Sequence, residues 1–219
     1  MAEVIRVVLV DDDPLVRAGL AMIVASANDL VVVDQAGDGL HAIESVRAHR
    51  PDVVLMDIRM PRLDGIAATA RLRAMAVPPE VLVLTTFEAD TFVLDALRAG
   101  ASGFLLKDTP PTEILAAIRQ VAGGGTTLSP SVARTVIDHI AQSTGGDRRA
   151  SATAALATVS KREREVAVEV GRGRSNAEIA AALFLSEATV KAHVSRLLTR
   201  LDLNNRVQIA LLVHDAGIR

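Results

Sequence analysis

The stretch Val7–Arg17, VVLVDDDPLVR, runs from four apolar residues into three consecutive aspartates, a proline and the start of a helical pattern. Four apolar residues in succession suit a strand buried on both faces. Aspartate followed by proline suits a helix start, with the aspartate as N-cap and the proline at N1. The stretch therefore reads as strand, turn and helix. A cap explains Asp13. It leaves Asp11 and Asp12 as adjacent like charges that need a counter-charge.

The same order repeats to about residue 122. Apolar runs occur at Ile5–Val10, Leu30–Gln35, Val53–Asp57, Val81–Thr85 and Gly103–Lys107. Helical patterns fill Pro14–Ser26, Gly39–His49, Gly65–Met75, Ala89–Ala99 and Thr112–Ala122. Five βα units imply an α/β fold, a flavodoxin-like doubly wound parallel sheet with right-handed crossovers. Such sheets bind ligands beyond the carboxyl ends of their strands, at the switch between strands one and three. Asp11 and Asp12 end the first strand and Asp57 ends the third, so three carboxylates are expected in one crevice. An open site of oxygen donors suits Mg²⁺, with Mn²⁺ as the alternative. Thr85 and Lys107, at the ends of strands four and five, are expected beside them. Each residue alone has a plain reading: a strand-end aspartate often caps a helix, and a lysine after an apolar run is usually solvated. Five such residues at the ends of the right strands are hard to reach by chance.

After residue 122 the pattern changes. Gly123–Gly125 closes the fifth helix, and LSPSVARTVIDHIAQ reads as a helix with Ser129 as N-cap and Pro130 at N1. STGGDRRASATAAL has linker composition. From Ser160 the pattern is helical, with about four helices in 60 residues. The expected division is 1–122, a linker with one helix over 123–156, and a small all-α domain over 157–219. Charge divides along similar lines. Residues 151–219 hold ten Lys/Arg and seven Asp/Glu, a net +3, and the other 150 hold fourteen and nineteen, a net −5. Such a split suggests domains with different partners. The 219 residues include no cysteine, which rules out disulfides and thiolate metal sites. No apolar run approaches the roughly 18 residues of a membrane-spanning helix. The start of the chain lacks the pattern of a secretory leader. A cytoplasmic protein without membrane contact is expected.

In the C-terminal part, Ser160 and Glu163 form a candidate capping box. Asn176–Leu183 is a second helix, and Ser186 caps a third that runs to about Leu201. Two helices, a short turn and a longer basic helix make a helix-turn-helix pattern, whose second helix belongs in the major groove. Val190, Val194, Leu197, Leu198 and Leu201 follow core spacing. Lys191, Ala192 and Ser195 share another side, where they suit guanine, a thymine methyl and a base edge. Ser186, Thr189, His193, Arg196 and Arg200 are candidates for DNA phosphates.

These motifs carry two resemblances. VDDDP, LMDIRMPRLDG, LTTF and GFLLKD resemble the receiver domain of two-component response regulators over about residues 4–122. SKREREV, GRSNAEIA, LSEATVKAHVSRLLTRL and NNRVQIA resemble the LuxR-type output domain of NarL/FixJ-type regulators over about residues 157–217. The first resemblance implies that Asp57 is the phosphoacceptor, that Asp12 and Asp57 ligate Mg²⁺ directly and Asp11 through water, and that the carbonyl of Arg59 also coordinates. It makes Thr85 and Lys107 phosphoryl-binding groups and Phe104 an aromatic switch. The second makes Lys191, Ala192 and Ser195 the base-reading positions, and the last helix, Arg206–Ala216, part of a dimer contact. Together they imply a transcription regulator rather than an enzyme. Its partners would be a sensor histidine kinase and double-stranded promoter DNA with paired half-sites, bound by a phosphorylated homodimer. The chain also departs from the pattern. Asp108 follows Lys107 where many receivers carry proline, Ser195 stands where other members carry lysine, and Arg59 and Phe87 hold positions that tune dephosphorylation. Two other readings are a Mg²⁺-dependent phosphohydrolase and a switchable binder of protein or RNA. Arg59 replaces the general acid that the first needs, and the helix-turn-helix landmarks weigh against the second.

Overall fold

In the computed structural model, residues 4–86, 90–128, 132 and 146–218 are described. The helix expected from Ser129 lies largely outside them, as does Phe87. The N-terminal domain contains β1 (Ile5–Val10), α1 (Pro14–Ala25), β2 (Leu30–Ala36), α2 (Gly39–His49), β3 (Val53–Met56) and α3 (Gly65–Arg73). It continues with β4 (Glu80–Thr85), α4 (Asp90–Ala99), β5 (Gly103–Leu106), α5 (Pro111–Ala122) and β6 (Thr127–Leu128). The sheet order is β2-β1-β3-β4-β5-β6, with every pair parallel. The doubly wound sheet expected from five βα units is present, with one strand more. β6 is two residues long, too short for any strand pattern to show in the sequence.

Alternation along the strands divides the core into two layers. Val8, Val10, Val54 and Met56 pack against the face covered by α2, α3 and α4. Val7, Leu9, Val53 and Leu55 pack against α1 and α5. All four residues of β3 are buried. Each such side chain contributes about 1.5–3 kcal/mol of transfer free energy. That burial fixes β3 in the middle of the sheet and so fixes where Asp57 emerges.

The C-terminal domain contains α6 (Gly146–Ala157), α7 (Lys161–Gly171), α8 (Asn176–Leu183), α9 (Glu187–Leu201) and α10 (Arg206–Asp215). Eleven of the fourteen residues of the segment with linker composition, 146–156, are therefore helical. Its alanines favour a helix, and Ala152 and Leu156, one helical turn apart, are buried in the core of this domain. The capping box at Ser160 is present: Glu163 N donates to Ser160 Oγ, and Ser160 N donates to Glu163 Oε2 at 2.8 Å. On α9, Val190 and Leu197 are fully buried, while Val194, Leu198 and Leu201 are partly buried against the same core.

The two domains are docked. Val207 of α10 is buried among Val93, Ala96, Leu97 and Ala101 around α4, and Leu211 packs on the same cluster. Asn205 is the N-cap of α10, accepting from Gln208 N through Oδ1, while its Nδ2 donates to Leu97 O at 2.6 Å and Ala101 O at 2.9 Å. Asn204 Nδ2 donates to Arg98 O, and Gln208 Nε2 to Leu97 O and Arg98 O. Three amide side chains thus satisfy carbonyls at the C-terminus of α4, which an isolated helix would leave to water. The apolar face of α10, expected at a dimer contact, is here covered by α4 and α7. Gly100 and Gly124 mark the closest backbone approaches. Both have positive φ, and an added Cβ would lie 3.2 Å from Asn204 Cβ at Gly100 and 2.0 Å from Asn176 Nδ2 at Gly124.

Candidate functional site

Strand order brings the acidic residues together. Asp11 N donates to Ala36 O at 3.1 Å and Asp57 N to Val10 O at 2.8 Å, so both extend the ladders of β1 and β3 by one residue. Asp11, Asp12 and Asp57 each place a carboxylate oxygen within 4.8 Å of the others. Asp11 and Asp57 are buried and Asp12 is exposed. Asp13 does not join them. It caps α1, accepting from Leu15 N at 2.8 Å, with Pro14 at the start of the helix.

Lys107 closes the site. Its N–H donates to Thr85 O at 2.9 Å, which places it at the end of β5 beside the buried Thr85. Its Nζ lies 2.5 Å from Asp11 Oδ2 and 3.2 Å from Asp57 Oδ2. Burial raises the Asp57 pKa above the usual carboxylate range; Lys107 opposes that rise and the Asp11 charge adds to it. For Lys107 burial works against the ammonium, but Asp11 and Asp57 outweigh it and raise the pKa. Three carboxylates against one ammonium leave two negative charges uncompensated. An all-oxygen set with that imbalance fits a divalent cation such as Mg²⁺.

Gly65 has a role that turn composition does not reveal. It begins α3 after the N-cap Asp64, and its N–H donates to Ile58 O. A Cβ here would lie 1.9 Å from the Asp57 carbonyl oxygen. The residue with positive φ in this loop is Arg62, not Gly65. Gly65→Ala is therefore expected to displace the backbone at Asp57. The destabilisation should be about 1–3 kcal/mol, measured by urea unfolding, with slower phosphoryl uptake.

Phe104 is fully buried on β5, in the layer that holds Val83, Val93 and Leu97.

Residues 7–119 match the family described as response regulator receiver domain, and residues 157–213 match bacterial regulatory proteins of the luxR family. The chain belongs to the NarL-type response regulators. It is 39% identical over 206 residues to the transcriptional regulatory protein YhcZ of Bacillus subtilis, covering 94% of each chain. It is 39% identical to the probable transcriptional regulatory protein NarL of Mycobacterium tuberculosis, covering 93% of this chain and 91% of that one. Among solved structures it resembles the response regulator ChrA of a heme-sensing two-component system, with 36% identity, a TM-score of 0.54 and full coverage of both chains. The family is one of transcription regulators, not of catalytic enzymes.

In the output domain of this regulator, Lys191, Ala192 and Ser195 are all exposed on α9. Lys191, Val194, Ser195 and Leu198 form a stripe that faces the receiver across a cleft. Ser186 caps α9, accepting from Thr189 N, and the two hydroxyls lie 2.8 Å apart. Arg200 pairs with Glu163 at 3.0 Å, and Arg196 lies 3.9 Å from the same carboxylate. His193 accepts from Arg196 in the geometry shown, 3.1 Å from Nη2. Burial and the neighbouring Arg196 lower its pKa, which favours the neutral imidazole.

Glu163 ties the cap of α7 to α9. Its hydrogen bonds from Ser160, and then Arg200, hold its pKa below the usual glutamate range. A lowered carboxylate contributes stability that is present above its unfolded pKa and lost as pH falls through the folded value. Glu163→Ala should cost about 1 kcal/mol, and the difference from the parent should shrink in acid, as thermal melts between pH 3 and 7 would show.

Sequence reasoning missed Asn204, Asn205 and Gln208. The adjacent asparagines before α10 signal a helix cap, but nothing local says that one of them also caps α4.

Proposed function

We propose that Asp57 takes a phosphoryl group from a sensor histidine kinase and that the phosphorylated chain binds paired half-sites in promoter DNA as a dimer. The observation that carries this reading is the meeting of Asp11, Asp12, Asp57 and Lys107 at the carboxyl ends of β1, β3 and β5. Asp11, Asp12, Asp57 and the Arg59 carbonyl would hold Mg²⁺, which supplies neutralisation of the charge that builds on the transferring group. A carboxylate oxygen of Asp57 attacks phosphorus, and the bond from phosphorus to the donor's histidine nitrogen breaks. Lys107 pairs with a phosphoryl oxygen, as it now pairs with Asp57. The Thr85 hydroxyl donates to another oxygen once the aspartyl phosphate has formed, and Phe104 keeps the space behind it filled.

Movement of Thr85 is passed on to α4. Since α10 caps the C-terminus of α4, a shift of α4 loosens the docked output domain. Release takes the receiver away from the cleft in front of Lys191 and Ser195 and admits DNA to them for base reading, with Ala192 beside them. Ser186, Thr189, His193, Arg196 and Arg200 then hold phosphates. It also frees α10 for a second copy. The proposed division is a receiver over 1–122, a connecting segment over 123–156 and an output domain over 157–219, acting in the cytoplasm. Among the described residues no helix is long and apolar enough to cross a membrane.

The test is incubation with acetyl phosphate and Mg²⁺, followed by intact-mass measurement. One phosphoryl group per chain is expected, and none in EDTA. Equal uptake in EDTA would contradict the metal assignment.

A further inference from the structure

The docked domains enclose a cleft of about 880 Å³. The receiver contributes Arg47, Arg50 and Arg73 to its walls, and the output domain contributes Lys191 and Arg206. Two carboxylates, Asp52 and Glu80, also line it, and both are engaged. Asp52 Oδ2 accepts from Arg6 N at 2.8 Å. Glu80 accepts from the Ser102 hydroxyl and pairs with Arg73 at 3.4 Å. Arg73 is thereby compensated. Among the described residues, the other four cations have no carboxylate of their own.

Arg206 is the most telling of the four. It is 8% exposed, and a guanidinium that deep is normally paired. Among the described residues its hydrogen-bond partners are neutral: Asn176 Oδ1 at 3.3 Å and the Arg174 carbonyl. Burial lowers its pKa, and the Glu80 charge counters that from a distance. Docking thus sets Arg47 and Arg50 of the receiver and Lys191 and Arg206 of the output domain around one cleft. Arg47, Arg50 and Lys191 are exposed and Arg206 is buried, so like charges face one another across the cleft and disfavour docking. Met75, Val194 and Leu198 add an apolar wall. A cavity of this size with an apolar wall and convergent charges has the character of a small-molecule site.

We propose that the cleft binds a small anion, a phosphate or pyrophosphate group on an apolar body, and that the bound anion holds the domains together. Arg47 and Arg50 from one domain and Lys191 and Arg206 from the other clamp the charged group, and Met75, Val194 and Leu198 cover the body. The ligand occupies Lys191 and shields the Ser195 stripe, so it competes with DNA. The proposal rests on the docking that sets the receiver across the cleft from α9. It does not depend on phosphorylation of Asp57.

The test uses the full chain, inorganic pyrophosphate as probe, EDTA to keep metal from the aspartates, and constant ionic strength. Calorimetric titration should show saturable binding with one site per chain. The double variant Arg47→Ala/Arg50→Ala should weaken it at least tenfold, and Lys161→Ala, a cation outside the cleft, should leave it unchanged. Asn205→Asp, designed to undock the domains, should also weaken it at least tenfold. Absence of saturable binding, or equal binding by the double variant, would overturn the site. Loss in the double variant with full retention in Asn205→Asp would place the anion on the receiver alone and overturn the clamp. Failure of phosphorylation to alter DNA binding would count against the functional reading instead, and that is measured without pyrophosphate.

Discussion

Asp57→Asn is expected to abolish phosphoryl uptake from acetyl phosphate while leaving the chain folded. The carboxamide keeps the shape of the side chain and its place after β3, but it lacks the nucleophilic oxygen. Asp11 and Asp12 lie within reach of the same cation, yet neither has the position of Asp57. Asp11 is held by Lys107 at 2.5 Å and by Asp13 N at 3.0 Å, and Asp12 is exposed. Uptake should therefore fall by at least a hundredfold rather than move to a neighbour. The same substitution removes a buried carboxylate that burial and Asp11 disfavour. In EDTA the variant should unfold at a higher temperature, by about 2–4 °C for each kcal/mol gained. Mg²⁺ should stabilise the parent more than the variant. Intact-mass measurement and thermal melts with and without Mg²⁺ check both halves.

Asn205→Asp is expected to give the unphosphorylated chain the DNA affinity of the phosphorylated one. Asn205 is 1% exposed and performs two tasks. Its Oδ1 caps α10, and aspartate caps equally well. Its Nδ2 donates to the carbonyls of Leu97 and Ala101, and aspartate would place a second oxygen against both. A buried carboxylate facing two carbonyls is strongly unfavourable, and undocking relieves it by exposing the carboxylate to water. The output domain keeps its core, because Val166, Ile179, Leu197 and Ile209 are buried within that domain. DNA affinity should rise at least tenfold in the absence of phosphodonor. Small-angle scattering should show a more extended particle. Unchanged affinity together with a compact particle would mean that these amides do not hold the domains.

Much of this site is written in local sequence. Val53–Met56 is apolar at every position, which marks a strand buried on both faces and puts Asp57 at its end. Asp11, Asp12, Thr85 and Lys107 follow from the same rule, because strand order converts distant strand ends into neighbours. The helix-turn-helix is equally legible, since Ser160 and Ser186 cap their helices as expected, and the structure adds Ser175 as the cap of the helix between them. What escaped depends on contacts between segments. β6 is a two-residue pairing set by the sheet edge. α6 reads as linker because the pair at 145–146 stands at its start, and only packing of Ala152 and Leu156 reveals its place. The requirement for glycine at position 65 arises from the Asp57 carbonyl, which no turn rule anticipates. Docking of α10 on α4 turns on amides of Asn204, Asn205 and Gln208, ordinary surface residues until another helix end meets them.

The link from Asp57 to the recognition helix is the central claim. Its most direct measurement is the affinity of one promoter fragment, chosen by selection from genomic DNA, for the parent, Asp57→Asn and Asn205→Asp chains with and without acetyl phosphate and Mg²⁺. The parent should gain at least tenfold on phosphorylation, Asp57→Asn should gain nothing, and Asn205→Asp should bind tightly in both conditions. Equal binding by the parent with and without the phosphoryl group would contradict the account.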